Sequence, residues 1–65
     1  MFKAIHKQTG QEITGIPEAA EEHLLKTSYW CAAGQIAALV EYLVGCPNAA
    51  SADSADYTVK RETQR

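Results

Sequence analysis

Two side chains in the sequence could act as nucleophiles beside a base, namely Cys31 and Ser28, with His23 as the base. Cys31 follows His23 by eight residues, in a stretch that is predicted to be helical. Eight residues of helix rise about 12 Å, whereas a nucleophile and its base must approach to about 3 Å. Only a sharp bend in the chain could bring the pair together, so the spacing argues against cysteine catalysis.

Three carboxylates, those of Glu18, Glu21 and Glu22, lie close together in sequence, and paired carboxylates can serve as general acid and base. They are expected on an exposed first helical turn, which lacks the burial that is typical of catalytic carboxylates. No phosphate-binding loop accompanies them, because the glycines are too far apart for a nucleotide motif: Gly10, Gly15, Gly34 and Gly45. The sequence therefore predicts a protein that is not an enzyme.

The residues that could bind a metal ion are also scattered. A structural zinc site needs four converging ligands, usually supplied as close pairs in sequence. No C-x-x-C or H-x-x-x-H pair occurs among the candidates, which are His6, His23, Cys31 and Cys46. We therefore expect no metal, no other cofactor and no small-molecule ligand.

The cysteines and the hydropathy pattern bear on the compartment of the protein. If residues 31–45 are helical, Cys31 and Cys46 are separated by roughly 22 Å, well beyond the limit of about 7 Å between the α-carbons of a disulfide. Two reduced cysteines are typical of a cytoplasmic protein. No signal peptide is visible, and the apolar segment 31–45 is too short for a membrane span and contains Gln35 and Glu41. A cytoplasmic location without membrane contact is the expectation.

The elements that must position these residues begin with a hairpin. Residues 1–7 and 12–16 flank the sequence QTGQ, in which Gly10 can supply the positive φ of a tight loop. Pro17 then favours the first turn of a helix, which is predicted over residues 17–26 and has acidic residues near its start.

The rest of the helical region raises the question of one helix or two. Apolar residues at spacings of four and three form one continuous stripe through Leu25, Tyr29, Ala32, Ile36, Leu39 and Leu43. The weak helix formers of KTSYW nevertheless favour a kink or short break near Thr27. Gly45 in a left-handed conformation and Pro47 would end the helix.

The remaining residues predict a connection and a last strand. Residues 47–55 form a flexible acidic connection, and DYTVKRET forms a half-buried strand that joins the hairpin. The predicted fold is one α+β domain over residues 1–65, with a three-stranded antiparallel sheet packed against one long or kinked helix (β-β-α(-α)-β). Its predicted core contains Leu25, Ile36, Leu39, Leu43, Tyr57 and Val59.

Segment 31–45 is apolar around more than half of its helical circumference, whereas packing on a sheet needs an arc of only about 100°. Either the first helix covers the surplus with Leu24 and Leu25, or another protein chain does. The small residues Gly34 and Ala38 would let a partner chain approach the helix closely. Trp30 is either an anchor of an interface or a filler of the protein's own core. The acidic residues Glu18, Glu21 and Glu22 could meet a basic surface on a partner. The predicted protein-binding residues are Glu18, Glu21, Glu22, Trp30, Gly34, Ala38, Glu41 and Tyr42.

The charge distribution argues against nucleic acid as a partner. The net charge is −2, and most of the basic residues lie near the two ends of the sequence, at Lys3, His6, Lys7, Lys60, Arg61 and Arg65, with His23 and Lys26 between them. A helix-turn-helix would use its second helix for recognition, but residues 31–45 contain no lysine or arginine to contact phosphates or bases. Nucleic-acid binding is therefore the least favoured of the functions considered.

In size and layout the chain resembles the small phage-encoded inhibitors of host proteins, anti-CRISPRs among them. It has fewer than 70 residues, with the hairpin MFKAIHKQTGQEITGI, one dominant helix and the closing strand DYTVKRET. The resemblance implies an inhibitor or modulator that binds a host protein complex stoichiometrically. The alternative function is a structural or assembly subunit of a larger complex, which, like an inhibitor, must bind another protein chain. In either case the partner could be a second copy of this chain.

Overall fold

The structure, a computed structural model, describes residues 1–62. These contain β1 (Phe2–His6), β2 (Glu12–Ile16), α1 (Ala20–Leu25), α2 (Ala33–Gly45), β3 (Ser51–Asp53) and β4 (Tyr57–Arg61), with a 3-10 turn at Trp30–Ala32 before α2. The strands form one antiparallel sheet in the order β2-β1-β4-β3. The α+β class is confirmed, but the described sheet has four strands instead of three and the helical region is divided in two.

The N-terminal hairpin is confirmed. Gly10 has a φ of +76° and donates its N–H to the carbonyl of His6 at 2.8 Å, so the loop uses the left-handed conformation that the sequence predicts. The imidazole of His6 fixes the rest of the loop, because its Nδ1 accepts the backbone N–H groups of Gln8 and Thr9 at 3.1 and 3.3 Å.

A bulge in β2 explains why the apolar alternation of the hairpin is imperfect. Ile13 and Ile16 pair with β1 residues that are only two positions apart, so β2 has one residue more than its partner strand between them. The extra residue lets both isoleucines be buried on the same face of the sheet. Gly15 adopts a φ of +71° within the bulge, and its N–H donates to the carboxylate of Glu62 at 2.8 Å.

Gly15 and Gly34 should respond in opposite ways to alanine. A β-carbon would meet nothing within 4 Å at either position, so packing does not distinguish them. Gly15→Ala places an L-residue in the left-handed region and should lower the free energy of unfolding by about 1–2 kcal/mol. Gly34→Ala should raise it by about 0.5–1 kcal/mol, because alanine is the better helix former. Urea unfolding measures both, and an unchanged stability in Gly15→Ala would contradict the strained bulge.

The helical region breaks between α1 and α2, as its weak helix formers predict. α1 begins at Ala20, three residues later than predicted, and ends at Leu25. Thr27 terminates it, because its hydroxyl donates to the carbonyl of Leu24 at 3.0 Å and accepts the N–H of Tyr29 at 3.2 Å. Thr27 therefore ends the first helix and does not cap the second.

The break also decides which leucine is buried. A continuous helix would place Leu25 in the same stripe as Ile36, which is why the sequence predicts it in the core. Because α1 is a separate element, it instead turns Ala20 and Leu24, which are one helical turn apart, into the core. Leu25 is 56 % exposed, so its prediction as a core residue is wrong.

The core lies between the helices and one face of the sheet. Of the predicted core residues, Ile36, Leu43 and Val59 are fully buried, while Leu39 and Tyr57 are partly buried against them. The hairpin and the two helices supply the other buried side chains, which are Phe2, Ala4, Ile13, Ile16, Ala20, Leu24, Ala33 and Val40.

The predicted closing strand joins the hairpin, and the structure shows that it does so through β1. The pairing runs from His6 opposite Tyr57 to Phe2 opposite Arg61, so the first strand lies inside the sheet. The last residue of the predicted strand, Thr63, lies outside the described residues.

The fourth strand, β3, was not predicted. It lies within residues 47–55, the segment predicted as a flexible connection, and pairs antiparallel with β4. Its three residues, Ser51, Ala52 and Asp53, show no apolar alternation. Only Ala52, which lies opposite the buried Val59, is partly buried. β3 forms through backbone pairing with β4, and its own sequence does not predict that pairing.

α2 ends by a different device from the one predicted. Its last residue is Gly45, which does not adopt the left-handed conformation. The guanidinium of Arg61, on β4, donates instead to the carbonyls of Leu43, Cys46 and Ala49. The same positive charge at the C-terminal end of α2 complements the helix dipole.

Candidate protein-binding site

The predicted binding residues fall into three groups on the surface. The four acids lie along one groove, two residues lie along a second groove, and two lie along neither. The groups are Glu18, Glu21, Glu22 and Glu41 in the first groove, Ala38 and Tyr42 in the second, and Trp30 and Gly34 outside both.

The first groove, which we call the α1–α2 groove, lies between the two helices and has a volume of about 410 Å³. Its apolar part consists of Leu25, Ala37 and Val44, together with the small residues at the start of α1. Leu25 is more than half exposed and Val44 is 45 % exposed. The groove is therefore open and partly apolar, and four glutamates line it together with the apolar side chains.

Helical spacing explains how these residues come to share one groove. On α2, Ala37, Glu41 and Val44 follow each other at i, i+4 and i+7, and so form one stripe beside the buried one. On α1, burial of Leu24 turns Leu25 outward, to the side where Glu21 and Glu22 also lie. The break after α1 thus creates the groove, because it removes Leu25 from the core.

The charge of the groove has one sign. Four carboxylates line it, and no lysine, arginine or histidine among residues 1–62 does so. None of the four carboxylates forms an ion pair with another residue of the described chain. The described residues contain no group of three or more side chains that could together hold a metal ion. Such a surface attracts cationic side chains more than it attracts neutral ones.

The second groove, which we call the α2–β3 groove, lies on the other flank of α2 and measures about 430 Å³. Ala38, Leu39 and Tyr42 form its helical wall, and strand β3 forms the opposite wall. Tyr42 is 55 % exposed. The two grooves leave apolar surface open on both sides of the helix, so α1 covers only part of the apolar surplus of α2.

Trp30 and Gly34 lie at the start of the second helical segment. Trp30 begins the 3-10 turn and is 61 % exposed, so its interpretation as a core filler is wrong. Gly34 is exposed as well, and nothing lies within 4 Å of the position that a β-carbon would take there. Gly34 therefore makes no close contact with the sheet of its own chain.

Gln35, the amide in the apolar helix, has a structural role that the sequence does not reveal. Its amide nitrogen donates to the Asp56 carboxylate at 3.2 Å, and its carbonyl oxygen accepts the hydroxyl of Ser54 at 2.8 Å. The same hydroxyl accepts the N–H of Tyr57 at 3.1 Å. Gln35 therefore ties α2 to the β3–β4 turn, and its polarity needs no functional explanation.

The outer face of the sheet carries two of the basic residues. Lys3 and Lys60 stand directly opposite each other on β1 and β4, pointing away from the core. Glu12 lies 3.8 Å from the ammonium group of Lys3 and offsets part of this charge. Arg65, the basic residue nearest the end of the sequence, lies outside the described residues.

The candidate nucleophile and base occupy different elements. His23 lies in α1 and Cys31 in the 3-10 turn, both exposed, with the break between them. No hydrogen bond joins their side chains within residues 1–62. Cys31 and Cys46 are free thiols.

Neither helix of residues 1–62 combines the length and the apolar character that crossing a membrane requires. Comparison of the chain with protein-family models, with curated proteins and with solved structures gives no match.

Proposed function

We propose that this chain is a small protein-binding module that inhibits or modulates a host protein complex by stoichiometric binding, without catalysis of its own. The observation that carries the proposal is the α1–α2 groove, an open surface lined by exposed apolar side chains and by four carboxylates. A cytoplasmic location, where both thiols stay reduced, belongs to the same proposal.

The exposed apolar side chains support a role in binding. Leu25 and Val44 face water within one groove, although burial of such a side chain stabilises a protein by about 1.5–3 kcal/mol. A contiguous apolar surface bordered by polar residues is typical of interaction sites. A partner that covers the groove would gain this burial, and the carboxylates would steer its approach.

A structural or assembly subunit is the second candidate function, and the α2–β3 groove favours it. A subunit within an assembly contacts more than one neighbour, and the two grooves on opposite flanks of α2 offer two separate surfaces. An inhibitor of one target needs only one of them.

One arginine substitution in each groove separates these alternatives. Val44→Arg places a long cation in the α1–α2 groove, and Ala38→Arg places the same side chain in the α2–β3 groove. Both positions are exposed, so each variant should keep its free energy of unfolding within about 0.5 kcal/mol of the parent chain. We expect Val44→Arg to abolish partner binding and Ala38→Arg to retain it.

The measurement begins with capture of partners from the native host by the tagged chain. A captured protein is then purified, and the stoichiometry and affinity of its complex are measured with the parent chain and both variants. Capture of two partners, one lost in each variant, would favour the assembly subunit. Loss in Ala38→Arg alone would move the interface to the α2–β3 groove, and full binding by both would contradict the proposal.

A further inference from the structure

We infer that the α1–α2 groove binds a basic amphipathic helix of a partner, in which lysines or arginines flank an aliphatic side chain. The inference rests on the proposed function and names the chemistry of the partner. Three properties of the groove lead to it, namely its length, its charge and the elements that form its walls.

The groove is short. On α2 it extends from Ala37 to Val44, and seven residues of helix rise about 10 Å. That length matches about two turns of a second helix. Such a segment presents one or two aliphatic side chains to the groove, where Leu25 and Val44 would contact them.

Carboxylates lie on both walls of the groove. Glu21 and Glu22 are on the α1 wall, and Glu41 is on the α2 wall, between Ala37 and Val44 along the helix. An aliphatic side chain seated between the walls would therefore have an acid on either wall. Lysine and arginine suit such walls, because their methylene stems cover apolar surface while the charged group reaches a carboxylate.

Both walls of the groove are formed largely by helices. The interior N–H and C=O groups of a helix are bonded within that helix, so the groove offers no row of free backbone groups to which a partner strand could add. Recognition by strand addition needs such a row, whereas a helix in a groove binds through side chains. A helix is therefore the occupant that this surface favours.

A second copy of the chain does not supply that helix. Among residues 1–62, the lysines and arginines lie on strands and in turns, and neither α1 nor α2 contains one. The helices of a second copy would instead bring their own glutamates to the groove, which like-charge repulsion disfavours.

The test uses three fluorescein-labelled synthetic helices and the full chain. In the first peptide, lysines four residues apart flank a row of leucines. In the second, glutamates replace those lysines, and in the third, alanines replace the leucines. Fluorescence anisotropy measures the affinity of each. We expect the lysine peptide to bind, with an affinity that falls as salt is added, and the glutamate peptide not to bind.

Matched variants show whether binding occurs in the groove. Glu41→Lys, in the groove, should weaken binding of the lysine peptide by about 10-fold or more. Glu12→Lys changes the net charge equally but lies on the outer face of the sheet, where its pair with Lys3 is worth little. It should change the affinity by less than about 2-fold, the size expected when only long-range screened charge is altered. Leu25→Ala should also weaken binding, since it removes part of the apolar surface.

Four results would overturn the inference: no binding of the lysine peptide, equal losses in Glu41→Lys and Glu12→Lys, equal binding of a peptide whose leucines are alanines, or a dimer of the chain that Glu41→Lys dissociates. If the lysine peptide does not bind but Val44→Arg still abolishes binding of a purified host partner, the proposed function stands and the inference about the basic helix is wrong. If Val44→Arg also leaves binding of the host partner unchanged, both the inference and the proposed function are wrong.

Discussion

Ile36→Ala should lower the free energy of unfolding by about 2–5 kcal/mol, the range observed when a buried aliphatic side chain is cut back to alanine. Ile36 is fully buried near the start of α2 and belongs to the hydrophobic core. A domain of this length has a total stability of roughly 3–10 kcal/mol. The substitution should therefore remove a large part of that stability, and we expect the variant to populate its unfolded state at 37 °C.

Urea unfolding measured by circular dichroism is the suitable experiment, because the exposed Trp30 is a poor fluorescence probe of burial. Leu25→Ala is the matched control, since a leucine that is mostly exposed should lose less than about 0.5 kcal/mol. Leu39→Ala should fall between the two, because Leu39 is only partly buried. A loss below about 1 kcal/mol in Ile36→Ala would contradict the orientation of α2.

Arg61→Ala is expected to have the second largest effect, a loss of roughly 1.5–3 kcal/mol. The last carbonyls of a helix lack the N–H partners of its interior, and the guanidinium donates to that of Leu43 in the last turn of α2 and to those of Cys46 and Ala49, which follow the helix. Hydrogen bonds to a charged group contribute about that much each, and exposure to water reduces the sum. The loss should come from separating the end of α2 from β4.

Arg61→Lys tests the geometry of this contact. An ammonium group cannot reproduce the planar fork that reaches three carbonyls, so lysine should recover only part of the stability although it keeps the charge. Lys60→Ala, at the neighbouring exposed position, is the control and should stay within about 0.5 kcal/mol. Full recovery by lysine would show that charge alone, and not the hydrogen bonds, stabilises this end of the helix.

Local patterns predicted the elements whose signals are local. The loop glycine Gly10, the weak helix formers around Thr27 and the alternation of the last strand each act through neighbouring residues, and the hairpin, the break and β4 are confirmed. The bulge at Gly15 depends on Glu62, far away in sequence, and β3 depends on its pairing with β4. No local pattern contains such information.

The candidate site shows the same division. The sequence singled out the four acids and the small residues of α2 one by one, but their distribution over two grooves depends on how α1 packs. That packing follows from whether Leu24 or Leu25 enters the core, and the continuous stripe pointed to Leu25. To predict that Leu24 and not Leu25 is buried, the position of the helix break must be known to within one residue.

The position of β1 inside the sheet has a consequence for the order of events during synthesis. β1 leaves the ribosome before its neighbour β4, which is made only after α1, α2 and β3. Until then one edge of β1 has no strand beside it, and open edges invite pairing with other chains. The sheet can close only when residues 57–61 have emerged, so this edge stays open while the intervening residues are made.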